Sequence, residues 1–91
     1  MPASPDHRIG LRPGYRLQWE PAQDSHVLLY PEGMVRLNPS AAEILKRCDG
    51  SLTEAEIISN LQHAFPDVDL QADVIEFLST AKANGWIHED G

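Results

Sequence analysis

The apolar positions of the chain change period near its middle, and that change divides the sequence into a strand half and a helix half. Tyr15, Leu17 and Trp19 alternate with Arg16, Gln18 and Glu20, the period-two pattern of a half-buried strand. Pro21 to Ser25 supplies a turn, and His26-Val27-Leu28-Leu29-Tyr30 follows as an almost continuous apolar run, which suits a strand with neighbours on both sides. In Tyr30-Pro31-Glu32-Gly33 the proline is preset for the first corner of a turn and the glycine is free to close a hairpin with a bulge. Met34 to Leu37 then forms a third short strand, with Met34 and Arg36 on one face and Val35 and Leu37 on the other. Three strands joined by short turns make an antiparallel meander.

At Asn38 the period becomes helical. Asn38 is a good N-cap, Pro39 fits the first turn where its missing N–H is not needed, and Ala41, Ile44, Leu45 and Cys48 line one face until Asp49-Gly50 ends the helix. Thr53-Glu54-Ala55-Glu56 matches a capping box, with Leu52 and Ile57 spaced as a hydrophobic staple. The second helix carries Ile57, Ile58, Leu61, Ala64 and Phe65 and stops at Pro66. A third starts near Asp69, carries Leu70, Val74, Phe77, Leu78 and Ala81, and ends at Asn84-Gly85, after which Trp86 and Ile87 return to the core as a short tail. Strands followed by helices predict an α+β fold in which the helices cover one face of the sheet. Residues 1–14, with three prolines and two glycines and little periodicity, read as a flexible N-terminal arm, and 15–91 as a single domain.

Composition narrows what such a chain can do. With 91 residues, 42% apolar and 23% charged, it has enough for one modest core but not for a core plus a deep enclosed active site. The net charge is −7. Residues 1–38 are balanced, and 39–91 hold three basic against ten acidic residues. That half is poorly suited to a phosphate backbone, which is held through Lys and Arg. One cysteine excludes an internal disulfide, and neither a signal peptide nor a bilayer-spanning run is visible, so the expectation is a cytoplasmic protein.

Each candidate chemistry has a plainer explanation. His7, His26, His63 and His88 form no ligand pair, and Cys48 has no histidine beside it, so the sequence predicts no metal site. Cys48 lies on the apolar helix face, where a small core residue is favoured over a nucleophile. Glu54 and Glu56, Asp67 and Asp69, and Asp73 and Glu76 sit at helix starts, which suits the helix dipole better than acid–base work. No Gly-rich phosphate loop, GxSxG or Walker pattern occurs, and no enzyme or cofactor is expected. The meander is more informative, because nothing after Asn38 reads as a fourth strand and Met34–Leu37 should be an open edge. Such an edge invites an extended peptide, with Arg36 placed to hold an acidic side chain of it; the N-terminal arm or a second copy of the chain could occupy it equally well.

The run Leu28-Leu29-Tyr30-Pro31-Glu32-Gly33-Met34-Val35-Arg36-Leu37-Asn38, followed by Ala42-Glu43-Ile44-Leu45, Cys48-Asp49-Gly50 and Gly85-Trp86-Ile87, closely resembles the PqqD family from about Arg12 to Ile87. The resemblance implies a peptide chaperone of pyrroloquinoline quinone (PQQ) biosynthesis that binds the ribosomal precursor PqqA. It further implies presentation of PqqA to the radical SAM enzyme PqqE, which cross-links a Glu and a Tyr side chain of the peptide. It implies the RiPP recognition element, a winged-helix-like domain of three strands and three helices, in which the precursor adds a strand in the groove between the third strand and third helix. Carried onto this chain, the docking edge is Gly33, Met34, Val35, Arg36 and Leu37, and the facing helix contributes Asp73, Val74, Phe77 and Ala81. Val74 and Phe77 also fit the stripe that faces the core. Two competing readings are a structural homodimer that pairs its exposed strands and a winged-helix DNA-binding regulator. The second conflicts with the third helix, whose stretch Asp69 to Ala83 has Lys82 alone against Asp69, Asp73 and Glu76.

Overall fold

Two three-stranded antiparallel sheets, where the sequence pattern predicts one, carry the chain in this computed structural model, which describes residues 7–90. The first is the expected meander: β2 (Arg16–Glu20), β3 (Ser25–Tyr30) and β4 (Gly33–Arg36), with β3 in the centre. Between β2 and β3 the chain makes a 3-10 turn over Pro21–Gln23 and turns back at Asp24, whose φ of 49° is left-handed. Between β3 and β4 the register runs Leu28↔Val35, Leu29↔Met34 and Tyr30↔Gly33. Only Pro31 and Glu32 lie between the last pair, so the hairpin closes with a two-residue connection and without the expected bulge.

The second sheet has the order β5 (Asp49–Thr53), β1 (Arg8–Leu11), β6 (Ile87–Asp90). It corrects two expectations. Residues 8–11 are a central strand and not part of a flexible arm, while residues 1–6 of that expected arm lie outside the described residues. Two strands also follow Asn38, where none was expected; Trp86 and Ile87 do return to the core, but Ile87 begins strand β6 where a short tail was expected. All three strands are short, and Asp-Gly-Ser-Leu-Thr in β5 has little intrinsic strand preference; their backbone partners come from distant parts of the chain, which local periodicity does not report. Gly10 shows the closeness of that pairing, since a Cβ there would lie 3.2 Å from the Gly50 backbone nitrogen. The ladder between β1 and β5 shifts register at this point, between Ile9 and Gly10.

The helices form where their caps place them. Helix α1 (Pro39–Lys46) starts with the Asn38 Oδ1 accepting the Ala41 N–H at 2.7 Å. It ends at Arg47, short of the predicted Asp49-Gly50 stop, because Asp49 and Gly50 are taken into β5. Helix α2 (Glu54–Ala64) has the full capping box: the Thr53 Oγ1 accepts the Glu56 N–H at 3.2 Å, and the Glu56 Oε1 accepts the Thr53 N–H at 2.9 Å. Helix α3 (Gln71–Ala83) ends in a Schellman turn, with the Trp86 N–H donating to the Ala81 carbonyl and the Gly85 N–H to that of Lys82. One buried cluster joins Leu28 and Leu37 of the first sheet region, Ile9 and Ile87 of the second, and the inward faces of all three helices. Cys48 is part of it, 2% exposed, its thiol donating to the Ile44 carbonyl at 3.4 Å.

Two outcomes follow from this packing. Gly85 has a φ of 77° and nothing within 4 Å of an added Cβ, so Gly85→Ala brings only backbone strain. It should cost about 1 kcal/mol and lower Tm by about 4–8 °C in a thermal melt. Burial, and secondarily the Asp49 charge, pushes the Cys48 thiol up to about 12. At pH 8 iodoacetamide should therefore alkylate the folded protein more than about a hundredfold more slowly than the urea-unfolded chain; equal rates would show that Cys48 is not buried.

Candidate functional site

β4 pairs with β3 on one side and, among the described residues, with nothing on the other. Which of its backbone groups are free follows from the ladder. In an antiparallel pair, residues alternate between exchanging hydrogen bonds with the partner strand and directing N–H and C=O away from it. The Leu37 N–H donates to the His26 carbonyl at 2.9 Å, so Leu37 is a paired position. By the alternation Val35 and Gly33 are paired as well, and Met34 and Arg36 direct their N–H and C=O groups to the open edge.

Side chains alternate across the sheet in the same rhythm. Val35 is half-buried against the core and Leu37 is buried, while Met34 is 48% exposed and Arg36 is exposed, its Nε donating to the Ser25 Oγ at 3.2 Å. The edge therefore offers backbone groups at Met34 and Arg36, apolar side chains beneath it at Val35 and Leu37, and an exposed thioether and guanidinium above it.

The four residues expected from the third helix do not share one surface. Val74 and Ala81 are buried in the core, at 1% and 0% exposure. Phe77 is half-buried and packs near Trp86, ring centroids 6.4 Å apart. Asp73 is exposed. Asp73 and Val74 line a cavity of about 250 Å³ with Pro39, Ser40, Glu43 and Ile44 of α1, Leu61 of α2, and Phe65, Val68 and Leu70 of the segment joining α2 to α3. Its walls are mainly aliphatic and aromatic. It begins at Pro39, three residues beyond the last residue of β4.

The charges around this cavity are unequally engaged. Hydrogen bonds from Lys46 and Arg47 hold the Glu43 carboxyl below the usual carboxylate range, with ion pairs at 3.0 and 3.1 Å. Asp73 has no ion-pair partner among the described residues. The sequence pattern misses this wall because Pro39 and Ser40 are ordinary first-turn residues of an amphipathic helix and Glu43 is an ordinary polar residue of its second turn. The available signal is Phe65 and Val68: Phe65, expected on the apolar stripe of α2 but standing just past its last residue, and Val68 remain 41% and 50% exposed, large apolar surface that the core does not absorb.

Among the described residues, no three His, Cys, Asp or Glu side chains converge as metal ligands would, and no helix is long and apolar enough to cross a membrane.

Comparison with known proteins agrees with this architecture. The chain is similar to a protein of Azotobacter vinelandii named PqqA binding protein, 55% identical over 78 residues that cover 85% of each chain. A protein of the same name from Acinetobacter baylyi is 57% identical over 75 residues, 81% of this chain and 76% of that one. The fold is similar to the solution structure of the PqqD truncation of Methylobacterium extorquens PqqCD, described as a functional, stand-alone RiPP recognition element. The TM-score is 0.74 at 26% identity, covering 93% of both chains. The family described as coenzyme PQQ synthesis protein D matches residues 25–87, from the start of β3 to the first residue of β6, and with these relatives it establishes that the chain belongs to the PqqD family.

Proposed function

We propose that the chain is a non-catalytic peptide chaperone of PQQ biosynthesis that binds the precursor PqqA as an added strand on β4 and presents it to the radical SAM enzyme PqqE. The observation that carries this reading is the open edge, with its outward backbone groups at Met34 and Arg36. Relatives that share more than half of the aligned residues bear the name PqqA binding protein, which supports PqqA as the occupant.

In this reading main-chain hydrogen bonds at Met34 and Arg36 supply affinity, and side chains supply register. Gly33, Val35 and Leu37 keep β4 paired to β3, so that the edge stays straight. On α3, Asp73 and Phe77 are exposed enough to meet the peptide, while Val74 and Ala81 fix the helix from the core. The protein performs no chemistry: it holds the precursor extended and raises its concentration at the modifying enzyme. The site of action is the cytoplasm, which the lone, buried thiol suits. A DNA-binding role is disfavoured because Lys82, the one basic residue of α3, is paired with Glu89.

Met34→Pro removes an N–H that points to the open edge and not to β3, so an edge strand should tolerate it. It should weaken PqqA binding at least tenfold in a calorimetric titration, whereas Met34→Leu should stay within about twofold. Unchanged binding by Met34→Pro would exclude strand addition at β4. A tight dimer in sedimentation, with no PqqA-induced amide shifts at Met34 or Arg36, would instead assign the edge to a second copy.

A further inference from the structure

The first sheet gives only one of its faces to the core. Leu17, Leu28, Val35 and Leu37 pack into or against the buried cluster, whereas Val27, Leu29 and Met34 take no part in it. Alternation along the strands and register between them place the second group on the opposite, outer face. There Arg16, Leu29 and Met34 form one row across the three strands, and Gln18, Val27 and Arg36 the next. Arg16, Gln18, Met34 and Arg36 are exposed. The Arg36 Nε donates to the Ser25 Oγ, and Val27 between them is buried.

The charge of this face is opposite to that of the chain. In a protein of net charge −7, neither Arg16 nor Arg36 has a carboxylate partner among the described residues. Glu20, the carboxylate of the last row, is half-buried opposite Ser25. Two unpaired guanidiniums around Leu29 and Met34 match the composition of protein interfaces, where Arg and Met are enriched, and the guanidiniums fit carboxylates bidentately. The face is also continuous with the docking edge. A strand added to β4 lies about 4.8 Å from it, and the peptide residues opposite Met34 and Arg36 turn their side chains to the same face. Peptide binding thus widens the face from three strands to four, with the fourth supplied by the precursor.

We infer that the outer face of β2, β3 and β4 is the docking surface for the modifying enzyme, which meets Arg16 and Arg36 with carboxylates and touches the outward side chains of the added strand. The inference rests on the reading of strand addition and presentation and adds to it a surface and a coupling. The enzyme docks more tightly on the loaded domain, and by linkage the precursor binds more tightly beside the enzyme by the same factor. Because charges at the rim of an interface act mainly on encounter, the docking weakens with salt.

The test titrates PqqE holoenzyme into deuterated, methyl-labelled protein, with and without PqqA. Cross-saturation from PqqE should reach the methyls of Leu29 and Met34 and spare those of Val68 and Ile75 on the helical side. PqqA should tighten PqqE binding at least about threefold. Arg16→Glu, on the strand farthest from the docking edge, should keep PqqA affinity within about twofold yet weaken PqqE binding at least about fivefold and flatten its salt dependence, while Arg16→Lys stays within about twofold of the wild type. Equal PqqE affinity with and without PqqA, or no effect of Arg16→Glu, overturns the inference. So does cross-saturation of Leu29 and Met34 between copies of the protein alone, which assigns the face to a second copy, or NOEs to them from residues 1–6, which assign it to the chain itself. If PqqE binds but saturates only Val68 and Ile75, the face assignment fails while presentation stands. If PqqE binds neither the free nor the loaded protein, both fail.

Discussion

Leu28 on the central strand of the first sheet, fully buried in the cluster shared with the helices, constrains everything at the neighbouring edge. Side chains alternate with a period of two, so turning Leu28 inward places Val35, its partner in register, inward too. Leu37 follows, and Met34 and Arg36 are left facing out. A slip of one residue would bury Met34 and Arg36 and expose Val35 and Leu37, which makes the register costly to change. The two-residue connection at Pro31-Glu32 holds the same alignment from the other end. The backbone groups free at the edge are consequently set by burial of one leucine and not by any property of the edge itself.

Charge separates this domain from the DNA-binding modules that its strand-and-helix arrangement suggests. The acidic excess lies in residues 39–91, and the cations there are used internally: Lys46 and Arg47 on Glu43, Lys82 on Glu89. Exposed on α3 and before it are the carboxylates Asp73 and Glu76, the apolar Val68 and Ile75, and neutral polar groups such as Ser79 and Thr80. The acidic excess repels a phosphate backbone. The same internal pairing lowers the Glu43 carboxyl, whereas Asp73 and Glu76 on α3 are exposed.

The meander and the three helices were legible because each announces itself locally: alternation at Tyr15–Trp19, the apolar run at His26–Tyr30, and caps at Asn38, Thr53 and Gly85. The second sheet was not. Arg8–Leu11 and Asp49–Thr53 have neither the length nor the composition of independent strands, and they exist because each supplies the other's hydrogen bonds across some forty residues of chain. For the site, the strand Met34–Leu37 was readable from its alternation and its resemblance to PqqD. Helix α3 was less so, since its stripe of Val74, Leu78 and Ala81 is consumed by the core and only Asp73 and half of Phe77 remain outside. The cavity wall was invisible, because Phe65 and Val68 meet Pro39 and Ile44 only after α1 and α2 have packed.

The central claim is that a peptide strand pairs with β4. Isotope-edited NOE measurements on labelled protein with unlabelled PqqA test it most directly. The account predicts cross-strand NOEs from the peptide backbone to Met34 and Arg36, and none to the other strand edges at β2, β5 or β6. Peptide NOEs confined to one of those edges, or to no edge, would contradict it.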